Sequence, residues 1–159
     1  MTTETKSDLL ERLLDKPYWL IDIMPCLVPD NGHGQYFAIE CFYRENTPTA
    51  RRLEMLAHVL LKLNCYYDIC VGFGQEDDWT TNPEPEKLMT MITGLTPGKP
   101  LYLIVEPADA LFVLDNDDTY WPVYNASPQL LQLLQQLVHG TGFYVWQPSQ
   151  PSEQNVNLS

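Results

Sequence analysis

Leu101-Tyr102-Leu103-Ile104-Val105, Ala110-Leu111-Phe112-Val113-Leu114 and Tyr120-Trp121-Pro122-Val123-Tyr124 decide the fold class of this chain. The first run is continuously apolar, as in a strand buried on both faces. The second and third flank Asp115-Asn116-Asp117-Asp118-Thr119, a polar stretch suited to a hairpin loop. Pro122 has no N–H to give to a ladder, so the third run is expected at a sheet edge.

Working outward, Pro128 to His139 reads as a helix capped by Ser127 and closed by Gly140, with Leu130, Leu134 and Leu137 inward. Phe143 to Trp146 is a final short strand. Upstream, Pro83 to Thr93 reads as a short helix and Cys65 to Phe73 as a strand. Leu53, Leu56, Leu60 and Leu63 recur at spacings of three and four, marking a helix whose start is set by Thr47 and Pro48. Gln35 to Tyr43 alternates Phe37, Ile39, Cys41 and Tyr43 against Ala38 and Glu40, which predicts a second strand. Tyr18 to Met24 predicts a first strand, central in its sheet. Asp8 to Asp15 predicts a helix capped by Ser7, with Asp8 paired to Arg12 and Pro17 ending it. The order α-β-β-α-β-α-β-β-β-α-β, with hairpins, predicts a single α+β domain over residues 1–146. Its mixed or largely antiparallel sheet packs against three to four helices. From Gln147 to Ser159, Pro, Ser, Gln and Asn dominate, and a disordered tail is expected.

Charge narrows the function classes. The chain of 159 residues has 21 acidic and 9 basic side chains, a formal charge of -12. From Pro100 onward there is no Lys or Arg, while Glu106, Asp109, Asp115, Asp117, Asp118 and Glu153 remain. Such a surface repels phosphate backbones and anionic lipid heads, so direct binding of nucleic acid or membrane is not expected, and a basic protein is the expected partner. The polar start, Met1 to Asp8, has no basic region leading into an apolar stretch, and no run reaches the roughly 18–20 residues that span a bilayer; the expected location is the cytoplasm. Cys26, Cys41, Cys65 and Cys70 lie 15, 24 and 5 positions apart, without the close pairs of a zinc site, and read as buried free thiols. No cofactor is implied, and the oligomeric state is left open.

Two constellations carry chemistry. Tyr120, Trp121 and Tyr124 beside Asp115, Asp117 and Asp118 would form an aromatic and acidic patch able to dock a basic partner. Asp22, Glu40, Asp68 and Glu106 each punctuate an expected strand, and four carboxylates on one face could hold a divalent cation for a hydrolase or small-molecule-binding protein. Asp22 stands out, because Leu20, Ile21, Ile23 and Met24 predict its burial and hence a raised pKa. The acidic loop lacks the glycine and glutamate of a calcium-binding EF-hand, and Gly72-Phe73-Gly74 lacks the third glycine and helix of a nucleotide loop. No Gly-x-Ser-x-Gly elbow occurs, none of the cysteines sits in a nucleophile context, and His58 lies on a solvated helix face between Glu54 and Lys62.

Leu13-Leu14-Asp15-Lys16-Pro17-Tyr18-Trp19-Leu20-Ile21-Asp22, Val28-Pro29, Gly34-Gln35-Tyr36-Phe37 and the closing Gly142-Phe143-Tyr144-Val145-Trp146 resemble a family of small uncharacterised bacterial proteins. The resemblance implies a bacterial, cytosolic setting and brings no established activity with it. From the acidic surface, the leading expectation is a non-enzymatic interaction module, inhibitor- or immunity-like or an adaptor.

Excess like charge lowers stability through self-repulsion, which added ions screen. The melting temperature is expected to rise from low to moderate salt; a flat or falling value contradicts this.

Overall fold

The three apolar runs form an antiparallel meander with the bounds read above: β4 (Leu101–Val105), β5 (Ala110–Leu114) and β6 (Tyr120–Tyr124). Around it the computed structural model places α1 (Lys6–Leu14), β1 (Tyr18–Asp22), α2 (Gln35–Asn46), α3 (Thr49–Leu63), β2 (Cys70–Gly72), β3 (Thr80–Thr81), α4 (Pro85–Thr93), α5 (Pro128–Val138) and β7 (Tyr144–Trp146). It describes residues 4–28, 35–46, 49–116 and 119–148. The Thr47-Pro48 helix start and nearly all of the expected tail, residues 149–159, lie outside the described residues. The seven strands form one sheet in the order β3-β2-β4-β5-β6-β1-β7, every pair antiparallel, which makes the fold α+β.

Register sorts the side chains onto two faces, because opposed residues in an antiparallel pair point the same way. Leu103, Phe112, Val123 and Ile21 share the first face, where α3 packs along α4 and α5 to close the main core. Ile104, Leu111, Tyr124 and Tyr18 share the second, which α1 covers with Leu10 and Leu13. Polar contacts pin α1 in place. Arg12 donates two bonds of 2.8 Å to the carboxylate of Asp109, in the turn between β4 and β5, and a further pair to Glu4. Lys6 pairs with Glu106 in the same turn. Asn125 Nδ2 donates to the Asp109 carbonyl at 2.7 Å, and its own N–H donates to Pro17 at 2.9 Å, tying the start of β1 to the end of β6. The Arg12 guanidinium holds the Asp109 carboxyl below the usual range, so this tie stabilises at neutral pH and is lost as acid protonates Asp109.

Several expectations are corrected. Gln35–Asn46 is a helix, not a strand. Its sequence is apolar at almost every position from Tyr36 to Tyr43, so it defines no period, and both edges of β1 are already paired, to β6 and β7. β6 is interior rather than an edge strand: Pro122 faces Leu20 of β1, and the β5–β6 ladder ends at Phe112↔Val123, one residue before the proline that has no N–H to extend it. The strand expected from Cys65 is confined to Cys70–Gly72, because the N–H groups of Asn64 to Tyr67 bond to carbonyls of the last turn of α3. Thr5, not Ser7, caps α1 through a 3.1 Å bond from the Asp8 N–H, while Ser7 donates to Glu76. Cys70 is buried as expected, but Cys26 and Cys65 are exposed. The Ser127 cap of α5 is present, accepting from the Leu130 N–H at 3.1 Å. Among the described residues no helix is long and apolar enough to cross a membrane.

Leu13 is fully buried between α1 and the sheet, whereas its neighbour Leu14 is exposed. Leu13→Ala is expected to cost about 2–5 kcal/mol in urea unfolding, and Leu14→Ala within about 0.5 kcal/mol. Equal losses would show that α1 does not seal the second face.

Candidate functional site

The alternation that builds the sheet divides the expected aromatic patch. Trp121 points into the main core, 1% exposed, edge-on to Phe143 with ring centroids 5.4 Å apart, and its Nε1 donates to the Asp115 carbonyl at 2.6 Å. It cannot meet a partner. Tyr120 and Tyr124 lie on the opposite face; Tyr124 packs on Tyr18 with centroids 5.5 Å apart, and Tyr120 is exposed. Asp115 is half-buried, while Asp117 and Asp118 lie outside the described residues. The patch as read from sequence is thus corrected: Trp121 leaves it.

The four strand carboxylates are likewise not assembled. Glu106 pairs with Lys6 in the turn after β4. Asp68 accepts from Asn82 Nδ2 at 3.0 Å in the approach to β2. Glu40 lies on α2 rather than on a strand, near Asp22. Among the described residues no three His, Cys, Asp or Glu side chains converge as metal ligands.

Asp22 and Glu40 do belong together. Asp22 ends β1 on the second face, opposite Tyr120 of β6 and Tyr144 of β7. It is 3% exposed. Trp146, diagonally across on β7, donates its Nε1 to Oδ2 at 3.0 Å. The N–H groups of Ile23 and Met24 lie beside the carboxylate, yet Oδ1 makes no hydrogen bond of full length and angle. Burial raises the pKa of Asp22 above its ordinary value, and the bonds from Trp146, Met24 and Ile23 only partly offset it; Glu40 adds to the rise. From α2, Tyr36 reaches the same place. Its hydroxyl is pushed up to about 12, by burial first, then by the hydrogen bond it donates to Glu40, with Asp22 and Tyr120 contributing. Asp22, Glu40, Tyr36, Tyr120 and the Trp146 indole therefore lie near one another where β1 ends and β6 begins.

Helix α2 is the second unusual feature. Among the described residues it shares few close backbone contacts with any other element. Phe37 is 69% exposed and Phe42 58% exposed, and Ile39 and Tyr43 are exposed as well. An isolated exposed Leu or Phe is ordinary, but Ile39, Phe42 and Tyr43 fall on one side of this helix, an exposed apolar surface of the kind that marks an interaction site, with Phe37 exposed on the other side. Reading the segment as a strand hid this; the continuous apolar run from Tyr36 to Tyr43 was the available signal.

A cleft of about 440 Å³ opens beside β7, between the end of α5 and the loop after β1, lined by Pro25, Gln135, His139, Phe143 and Tyr144 among others. Among the described residues of the lining, no carboxylate or thiol stands beside His139 to orient or activate it.

No family model, no curated protein and no solved structure matches this chain.

A buried acid with a raised pKa stabilises the fold below the ordinary carboxylate value of about 3.9, and that contribution is lost as pH rises through the raised value. Asp22→Asn keeps an acceptor for Trp146 and removes the charge facing Glu40. It is expected to raise the melting temperature at pH 7 and to flatten its decline across the window above about pH 3.9. A variant less stable than the parent at every pH contradicts the assignment.

Proposed function

We propose that this chain is a non-enzymatic interaction module, inhibitor- or immunity-like or an adaptor, that docks a basic protein partner through α2 and the strand ends beneath it. The observation that carries this reading is the exposure of Phe37, Ile39, Phe42 and Tyr43 on one loosely packed helix. Apolar contact supplies most of the affinity of such a surface, and charge selects the partner and speeds the encounter. With a formal charge of -12 the chain attracts a cationic surface and repels a second copy of itself, a nucleic acid or an anionic membrane.

The basis of the reading differs from the one that charge in the sequence suggests. Two of the six acids after Pro100, Glu106 and Asp109, are matched by Lys6 and Arg12 from α1. The β4–β5 turn is therefore a closed ionic contact, and the exposed apolar surface lies instead on α2.

Affinity capture from the source cell at low and high salt, with the parent chain and a Phe37→Ser/Phe42→Ser variant, tests this. Both positions are exposed, so the variant is expected to fold, as circular dichroism will show. The parent is expected to retain basic proteins at low salt, less of them at high salt, and the variant to lose them about tenfold or more, the 1.4 kcal/mol that one lost apolar anchor readily exceeds. Equal retention by the folded variant, or partners without excess positive charge, would overturn the reading.

A further inference from the structure

The cleft beside β7 is a cavity that docking through α2 leaves unused. Its volume of about 440 Å³ falls within the range that encloses small ligands. Val138 and Phe143, 3% and 5% exposed, give it an apolar floor, and Pro25 adds to the lining from the loop after β1. Gln135 and His139 lie one helical turn apart at the end of α5, which puts them on the same side of it. Among the described residues neither side chain is engaged in a hydrogen bond or an ion pair.

The segment between α5 and β7 is held in shape. Thr141 Oγ1 donates to the Val138 carbonyl at 2.5 Å and accepts from the Phe143 N–H at 3.1 Å. Gly140 and Gly142 flank it with φ of +83° and +92°, and a Cβ at either would meet nothing beyond its chain neighbours within 4 Å. Bare backbone therefore borders open space, in a turn whose shape does not have to be assembled on binding.

The lining selects by chemistry. A divalent cation needs several carboxylate, thiolate or imidazole ligands, and the described lining offers one imidazole. A phosphate or carboxylate finds no Lys or Arg there, and the formal charge of -12 repels it. An organic cation finds no carboxylate in the described lining. A bare hydrocarbon would cover the Gln135 amide and the His139 ring without giving them partners. An uncharged ring with a donor and an acceptor side by side answers both groups.

We propose that this cleft binds a small, uncharged, planar ring carrying a carboxamide or a ring amide. The Gln135 side chain donates to the ligand carbonyl and accepts from its N–H, His139 supplies a further hydrogen bond, and the ring rests on Val138 and Phe143. These residues are separate from α2, so the site stands or falls independently of a basic partner.

The full chain is titrated at constant pH with nicotinamide and with uracil to about 10 mM, enough to register a Kd of that order or below. Sodium nicotinate, the same ring with a charged carboxylate, and cyclohexanol, a ring without an amide, are the controls. The readout is the imidazole Cε1–H resonance of His139, with that of His58, exposed on α3, as internal reference. A saturable shift of His139 with nicotinamide or uracil, His58 unmoved, is expected, with both controls about tenfold weaker. Gln135 is exposed, so Gln135→Leu is expected to fold and to weaken binding about tenfold. Gln135→Ala takes its place if circular dichroism shows a loss of structure. No saturable shift with either amide, an equal response to nicotinate or cyclohexanol, or undiminished affinity in the folded variant would overturn the site.

Discussion

Strict alternation along β4, β5, β6 and β1 is the constraint on which everything else in the molecule rests. It sends Leu103, Phe112, Val123 and Ile21 to the face closed by α3, α4 and α5, and Ile104, Leu111, Tyr124 and Tyr18 to the face closed by α1. The same parity puts Asp22, Tyr120, Tyr144 and Trp146 on the second face, beyond the reach of α1. A slip of one residue would exchange the two sets and bury Asp22 among leucines. The polar cluster is thus a by-product of the register that makes the core, and needs no loop of its own to hold it.

The helices divide between tight and loose packing. α3 buries Leu53, Leu56, Leu60 and Leu63 and is held by two neighbouring helices. α1 is shorter but is anchored by Leu10 and Leu13 and by the Arg12–Asp109 pair, whose contribution rises with pH while that of Asp22 falls. Among its described side chains α2 shows no fully buried apolar stripe, and Tyr36 and Glu40 lie toward Asp22 and Tyr120 of the sheet. Local stability follows the amount of apolar area buried, and α2 leaves Phe37, Ile39, Phe42 and Tyr43 exposed.

Much of this was legible from residues alone where a pattern had one interpretation. The three central strands begin and end as their apolar runs do, and Ser127 marks the start of α5, because short buried strands and capped amphipathic helices carry their own punctuation. The segment from Gln35 to Asn46 had none: from Tyr36 to Tyr43 every residue but Glu40 is apolar, and what excludes it from the sheet is the pairing of β1 with β7, more than a hundred positions away. Pro122 misled for a related reason, since a proline tolerates an interior strand where one ladder stops beside it. At the candidate site, burial of Asp22 followed from its apolar neighbours, but its partners did not. Trp146 is 124 residues distant, and Tyr36 and Glu40 reach it only because their segment is helical.

The sheet is bordered by a two-residue strand, β3, and a three-residue strand, β7, with the five-residue strands inside. Neither margin offers a run of unpaired amides long enough to template another chain, which is how natural sheets rich in aromatic and β-branched residues avoid fibrous self-assembly. Among the described residues, neither margin gives strand addition much of a template. A partner drawn to this chain would then meet side chains rather than a row of free amides, so shape and charge, not backbone pairing, would select it.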